Sequence, residues 1–174
     1  MQVLTIGHST RALEELVATL QNHSVERLVD VRSLPRSRRN PQFNADALPQ
    51  ALAPAGIGYL HMKGLGGLRK PQPDSPNDGW ESEGFRAYAD YMLTPDFERH
   101  LGALVTLADE IRIAIMCAEA MPWRCHRSLI ADALTVRGIG VSHILEPRRS
   151  EPHRLTAWAQ VDGTRITYPF SLRP

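Results

Sequence analysis

Apolar residues recur along this chain in two rhythms. Short, mainly apolar runs at residues 3–6, 28–31, 56–61, 111–116 and 141–145 have the length of buried strands. Between them the apolar positions fall three and four apart, the spacing of one helix face. Leu13, Leu16, Val17 and Leu20 form the first such stripe, with Ser9 or Thr10 as its cap and Asn22 as its stop. A second helix is expected after an Asn44 cap, with Leu48, Leu52 and Ala53 inward, shortened or kinked by Pro49. Phe85, Tyr88, Ala89 and Met92 mark a third helix. Pro95 opens a fourth that turns Phe97, Leu101, Leu104, Val105 and Ala108 inward. Leu129, Ile130, Ala133 and Leu134 mark a fifth, which Gly138 ends.

Strands alternating with helices predict an α/β fold: a mainly parallel sheet of about five strands with helices on both faces. After Pro147 the pattern changes. Residues 157–161, then Asp162-Gly163, then residues 166–168 read as a C-terminal β-hairpin on a tight turn. The expectation is a single domain, 1–174, with a core at 1–146 and an extension at 147–174.

Composition narrows the class. The chain has 174 residues, 43% hydrophobic and 22% charged, which suits a globular domain with one sizeable core. Its longest apolar runs are too short to span a bilayer, and the amino terminus lacks a secretion-type leader. Membrane partners are therefore not expected, and a cytoplasmic setting is. With that setting, the two cysteines read as reduced thiols. With a net charge of +1 the protein as a whole is not an obvious nucleic-acid binder, but Arg32, Arg36, Arg38 and Arg39 crowd one loop, which leaves nucleic acid open as a partner, and Arg124 and Arg127 flank Cys125.

The candidate chemistry follows the strands. In an open parallel sheet, ligands bind at the carboxyl ends of strands. Those ends carry His8 and Ser9, Arg32, His61, and Cys117 with Glu119. Beyond Glu119, Cys125 should fall at the first turn of the fifth helix. There unpaired N–H groups, the helix dipole and Arg124, His126 and Arg127 all favour a thiolate. Cys125 is thus the candidate nucleophile and Cys117 its assisting or resolving partner. Glu119, His8 and His126 are the candidate proton carriers. Ser9, Arg32, Arg36, Arg38, His61, Gly66, Gly67 and Arg127 are the candidate substrate-binding set, since guanidinium forks and glycine N–H groups suit anions. Glu119 could also orient His126, and residues 71–79 could close as a lid.

Other chemistries stay open. Cys117, Cys125 and His126 could hold zinc, with His8, His61 or Glu119 as fourth ligand, although a seven-residue gap between cysteines is wide for such motifs. A Cys117–Cys125 bridge could serve as a redox switch. The arginine loop could bind a nucleotide or nucleic acid without catalysis. A phosphatase-type loop places arginine six residues after its cysteine, where this chain has Trp123, so that layout and the rhodanese-like one are analogies only.

Several motifs together resemble one known family. They are Thr5-Ile6-Gly7-His8-Ser9, then Asp30-Val31-Arg32 with Pro35, Ser37 and Arg38, then Leu65-Gly66-Gly67. The most specific is Cys117, four residues, Pro122, two residues, and Cys125-His126-Arg127. In these the chain is similar to the domain of unknown function 488, over about residues 3–145 and excluding the terminal hairpin. The resemblance implies an enzyme built on paired cysteines and brings no reaction or cofactor with it. The expected function is a cysteine-dependent enzyme, a transferase or hydrolase, acting on an anionic, phosphorylated or nucleotide-like substrate.

Overall fold

Each apolar run becomes a strand, and the strands assemble around the first of them. The computed structural model describes residues 1–174. In chain order its elements are β1 (Gln2–Gly7), α1 (Leu13–Asn22), β2 (Arg27–Asp30), α2 (Leu48–Leu52), β3 (Gly58–His61), α3 (Glu83–Tyr91) and α4 (Pro95–Glu110). They continue with β4 (Ile113–Cys117), α5 (Arg127–Thr135), β5 (Gly140–Glu146), β6 (Arg149–Pro152), β7 (Gln160–Asp162) and β8 (Arg165–Thr167).

The main sheet has six strands in the order β3-β2-β4-β1-β5-β6. Its first five members run parallel, and β6 pairs antiparallel with β5 along the edge. The hairpin β7–β8 forms a separate two-stranded sheet, and Gly163 takes the positive φ of 59° that its turn needs.

Strand alternation divides the core in two. Val3, Val29, Val31, Ile113 and Ile115 face α3, α4 and α5, joined by Tyr88, Phe97, Leu101, Leu129 and Ile130. Leu4, Ile6, Leu28, Ala114 and Met116 face α1 and α2, against Leu16, Leu20, Leu48 and Leu52. The result is three layers, with the sheet buried on both sides as parallel strands require. Ile166 and Tyr168 are buried in the first cluster, so the C-terminal segment packs on the core.

Several local expectations are corrected. Ser9 and Thr10 cap nothing: α1 begins at Leu13 after Ala12, and the Ser9 N–H extends the ladder to the Ala118 carbonyl at 2.9 Å. Asn44 accepts from the Ser37 N–H at 2.6 Å, bracing the arginine loop instead of a helix start. Ala53 is exposed, because α2 is only five residues long and ends before it. No helix is long and apolar enough to cross a membrane.

Candidate active site

β1 and β4 end side by side, with Gly7 in register with Cys117. The ladder runs on past the strands, the His8 N–H donating to the Cys117 carbonyl at 3.0 Å. Gly7 permits this closeness, since a Cβ there would overlap the Glu119 carbonyl. From Cys117 the chain passes through a short 3-10 turn at Pro122–Arg124. It returns in extended form at Cys125, one residue before His126, the N-cap of α5. The loop therefore closes on itself, and the Cys117 and Cys125 sulfurs and a His126 ring nitrogen lie within 4.8 Å of one another.

Arg127, the first residue of α5, points inward and is only 1% exposed. Its Nη2 donates to the Glu119 carbonyl and, at 3.5 Å, to the Ala120 carbonyl, pinning the loop from below. Its Nη1 donates to Thr5 Oγ1 and its Nε to Cys125 Sγ, each at 3.4 Å. Eight ion pairs occur in the molecule and none includes Arg127. A buried guanidinium needs a counter-charge, and the sulfur of Cys125 is the group placed to carry one.

His126 completes the arrangement. Its Nε2–H donates to the Val31 carbonyl at 3.1 Å. The other ring nitrogen, Nδ1, lies 3.6 Å from Cys125 Sγ and 4.0 Å from Cys117 Sγ. Gly67 makes room for the ring, since a Cβ there would sit 2.6 Å from Nδ1. The Cys117 thiol hydrogen bond, with help from His126 and Arg127, holds Cys125 below the ordinary thiol range despite burial. Cys117 is pushed up by the same bond and by desolvation. Of the two sulfurs, Cys125 is the one favoured as thiolate. Its residue is 4% exposed, at the wall of a 500 Å³ cleft also lined by Cys117, His126, Gly67, Glu119, Arg124 and Phe85.

The remaining candidates divide sharply. Arg32 spends its fork inside the protein. Nε and Nη2 grip Asp30 at 2.9 and 2.6 Å, Nη2 also reaches the Phe43 carbonyl at 2.6 Å, and Nη1 donates to His8 Nε2 at 3.2 Å. His8 is correspondingly fixed. Its Nδ1–H donates to the Ser9 carbonyl at 2.9 Å, its ring stacks on Phe43, and burial lowers it to about 4. With Ser9, Arg36, Ser37 and Glu119 it borders a second cavity of 270 Å³. His61 donates to the Arg32 carbonyl at 2.8 Å and braces the arginine loop.

Glu119 does not orient His126. Its carboxylate accepts from the Met121 N–H at 3.3 Å, and Val31 orients the ring. Gly66 is packed against Ser33, whose Oγ a Cβ would meet at 2.5 Å. Arg38 is exposed and lines neither cavity. Residues 71–79 are no free lid: Gln72, Ser75 and Asn77 are hydrogen-bonded to Asp90, and Asn77 also anchors Tyr168.

Sequence reasoning missed a line of polar groups behind the site. Thr5 Oγ1 lies 2.8 Å from His143 Nδ1, His143 Nε2 lies 2.9 Å from His153 Nδ1, and His153 Nε2 donates to Asp132 at 2.8 Å. With Arg127 on Thr5, this connects Asp132 to Cys125. Only its buried histidine, His143, carried a signal in the sequence, a polar residue inside an apolar strand. The others come from segments too distant for spacing to relate them.

Residues 12–134 match the family described as Domain of unknown function DUF488. The matched stretch contains both cysteines and the arginine loop, and it leaves Thr5 to Ser9 and the C-terminal strands outside. No curated protein matches the chain. No solved structure matches it.

Proposed function

The chain belongs to the DUF488 family, whose description names no reaction, and we propose from the site itself that it is a cysteine-dependent enzyme acting on an anionic substrate. The observation that carries this reading is Arg127: a guanidinium 1% exposed, without a carboxylate, whose Nε reaches Cys125 Sγ at 3.4 Å. Such a pair stabilises a thiolate, the nucleophilic form of cysteine. His126 Nδ1 takes the Cys125 proton. The thiolate attacks the electrophilic centre of the substrate, a bond to sulfur forms, and the bond to the leaving group breaks. The leaving group departs with the proton that His126 held. Water, or a second acceptor, then releases the product from the sulfur, which makes the enzyme a hydrolase or a transferase. Cys117 assists by donating its S–H to the thiolate. Because Arg32 and Arg127 are engaged internally, the substrate anion meets Arg124 at the thiol cleft and Arg36 at the neighbouring cavity, both exposed. Reduced thiols of this kind belong to a reducing compartment such as the cytoplasm.

Alkylation of Cys125 by iodoacetamide is the direct test. Its rate should show a midpoint well below the ordinary thiol value of about 8.5, and Cys125→Ser should remove the reactive group while the far-ultraviolet spectrum stays native. A midpoint at the ordinary value would sink the reading.

A second reading rests on one observation. Cys117, Cys125 and His126 are clustered as three metal ligands would be, and the Val31 carbonyl orients His126 in the way ligating histidines are commonly held. His8, His61 and Glu119, the fourth-ligand candidates, are not in the cluster. Arg127 beside Cys125 opposes a dication. Stoichiometric zinc in the purified protein, lost in Cys117→Ser, would favour this second reading over the first.

A further inference from the structure

A cavity of 690 Å³ lies behind the cysteine loop and not at the thiols. All three tryptophans of the chain line it: Trp80, Trp123 and Trp158. Trp80 and Trp158 meet edge to face with centroids 4.9 Å apart. Trp123, on the loop that carries both cysteines, is 62% exposed. An adjoining cavity of 390 Å³ shares all three tryptophans and adds Ser82, Phe85 and Arg124, which also border the thiol cleft. Taken together as one trough, the three cavities share lining residues from the indoles to Cys125.

The charges of the trough are unbalanced. Of its acids, Glu151 pairs with Arg149 and Glu81 with Arg173 at 2.8 Å, while Glu119 at the thiol end is exposed and in no ion pair. Arg154 and Arg124 are exposed, and their side chains have no partner in the protein. His143 is neutral, lowered by burial to about 4. The trough therefore offers flat aromatic faces together with two uncommitted guanidiniums.

We propose that this trough binds a nucleotide unit, the base against the indoles and the phosphate on Arg124 or Arg154. A base stacked on an aromatic side chain gains about 1–3 kcal/mol, and guanidinium forks match phosphate oxygens. The volume lies in the range of small-molecule sites. As a statement about substrate the inference rests on the thiol reading. As a statement about binding it stands apart from it.

Tryptophan fluorescence titrations with nucleoside monophosphates, ribose 5-phosphate and short single-stranded oligonucleotides test it, each repeated while the alkylation rate of Cys125 is followed. Nucleotides should quench saturably and protect Cys125. Trp123→Ala, at an exposed position that leaves the core intact, should weaken binding about tenfold, and Arg154→Ala should flatten its salt dependence. Binding by monophosphates alone assigns the site to free nucleotides. Affinity that rises with strand length assigns it to single-stranded nucleic acid. Cys125→Ser should bind as wild type, so an ordinary Cys125 midpoint beside intact nucleotide binding would remove the enzyme reading alone. Ribose 5-phosphate binding as well as nucleotides, or quenching without protection of Cys125, overturns the proposal.

Discussion

At the scale of single residues, the site depends on a cation that solvent cannot reach. Arg127→Met keeps much of the side-chain volume and removes the charge. The Cys125 thiolate then loses its counter-ion, and the Glu119 and Ala120 carbonyls lose their donor. The alkylation midpoint should rise toward about 8.5. Stability should fall by about 3 kcal/mol, the lower end for breaking a buried charged pair, because the sulfur can protonate. Urea midpoints of the variant and wild type measure that loss. Gly67→Ala attacks the same site from the other wall. Its new methyl, 2.6 Å from His126 Nδ1, must push the ring off the Val31 carbonyl. The expected cost is about 1–3 kcal/mol, with slower alkylation near neutral pH. The sequence set basic residues around Cys125, and in the fold Arg127 reaches its sulfur. It could not tell that Arg127 turns inward while Arg124 stays outside, since that depends on the β1 backbone arriving beneath the loop. For the same reason Arg32 was legible as a strand-end arginine but not as the partner of Asp30, Phe43 and His8.

At the scale of elements, one carboxylate fastens the C-terminal segment to the layers. Asp132 lies on α5 with no exposure and accepts from His153 Nε2, the Thr156 N–H, Thr156 Oγ1 and the Tyr168 hydroxyl, at 2.7 to 3.0 Å. Tyr168→Phe removes one of these bonds and should cost about 1 kcal/mol. Asp132→Asn replaces an acceptor oxygen by a donor that faces donors, and should cost about 2–4 kcal/mol. Hydrogen exchange should localise the opening to β6, the hairpin and the segment between them. Equal, small effects of both substitutions would show that Asp132 is not the anchor. These contacts explain what the hydrophobic pattern conveyed and what it did not. Parallel strands buried on both faces are continuous apolar runs, so β1, β2, β4 and β5 were legible. β6 reads Arg-Ser-Glu-Pro and is exposed throughout. It is an edge strand held by backbone pairing to β5 and by the polar cluster after it, and charged edges of this kind leave no apolar trace. The Asp162-Gly163 turn was legible because its conformation demands a glycine.

At the scale of the whole molecule, stacking the layers buries titratable groups that water would otherwise solvate, and this ties stability to pH. Desolvation lowers His8 and His143 from 6.5 to about 4. Between those values the unfolded chain binds their protons and the folded protein does not, so stability rises with pH through that window and is lost as pH falls below 6.5. Each such proton contributes a slope of about 1.4 kcal/mol per pH unit where it is fully uncompensated. The cysteine pair adds a second limb. Cys125 is depressed and Cys117 raised. Below the ordinary thiol value of about 8.5, unfolding takes up the Cys125 proton, so stability keeps rising. Above that value the unfolded chain has lost both thiol protons while the fold retains the one on Cys117, and stability declines. Urea midpoints from pH 5 to pH 10 should therefore climb steeply, then gently, and pass a maximum near the ordinary thiol value. Cys125→Ser should flatten the profile above neutrality and make the acid limb shallower by one proton's slope, leaving the histidine contribution in place. His143→Gln should reduce the acid limb and leave the alkaline one. A wild-type profile level from pH 5 to 8 would mean that both histidines titrate in the fold as they do in the unfolded chain and that the Cys125 sulfur is an ordinary thiol, and the buried charge that organises this edge of the sheet would then have no counterpart.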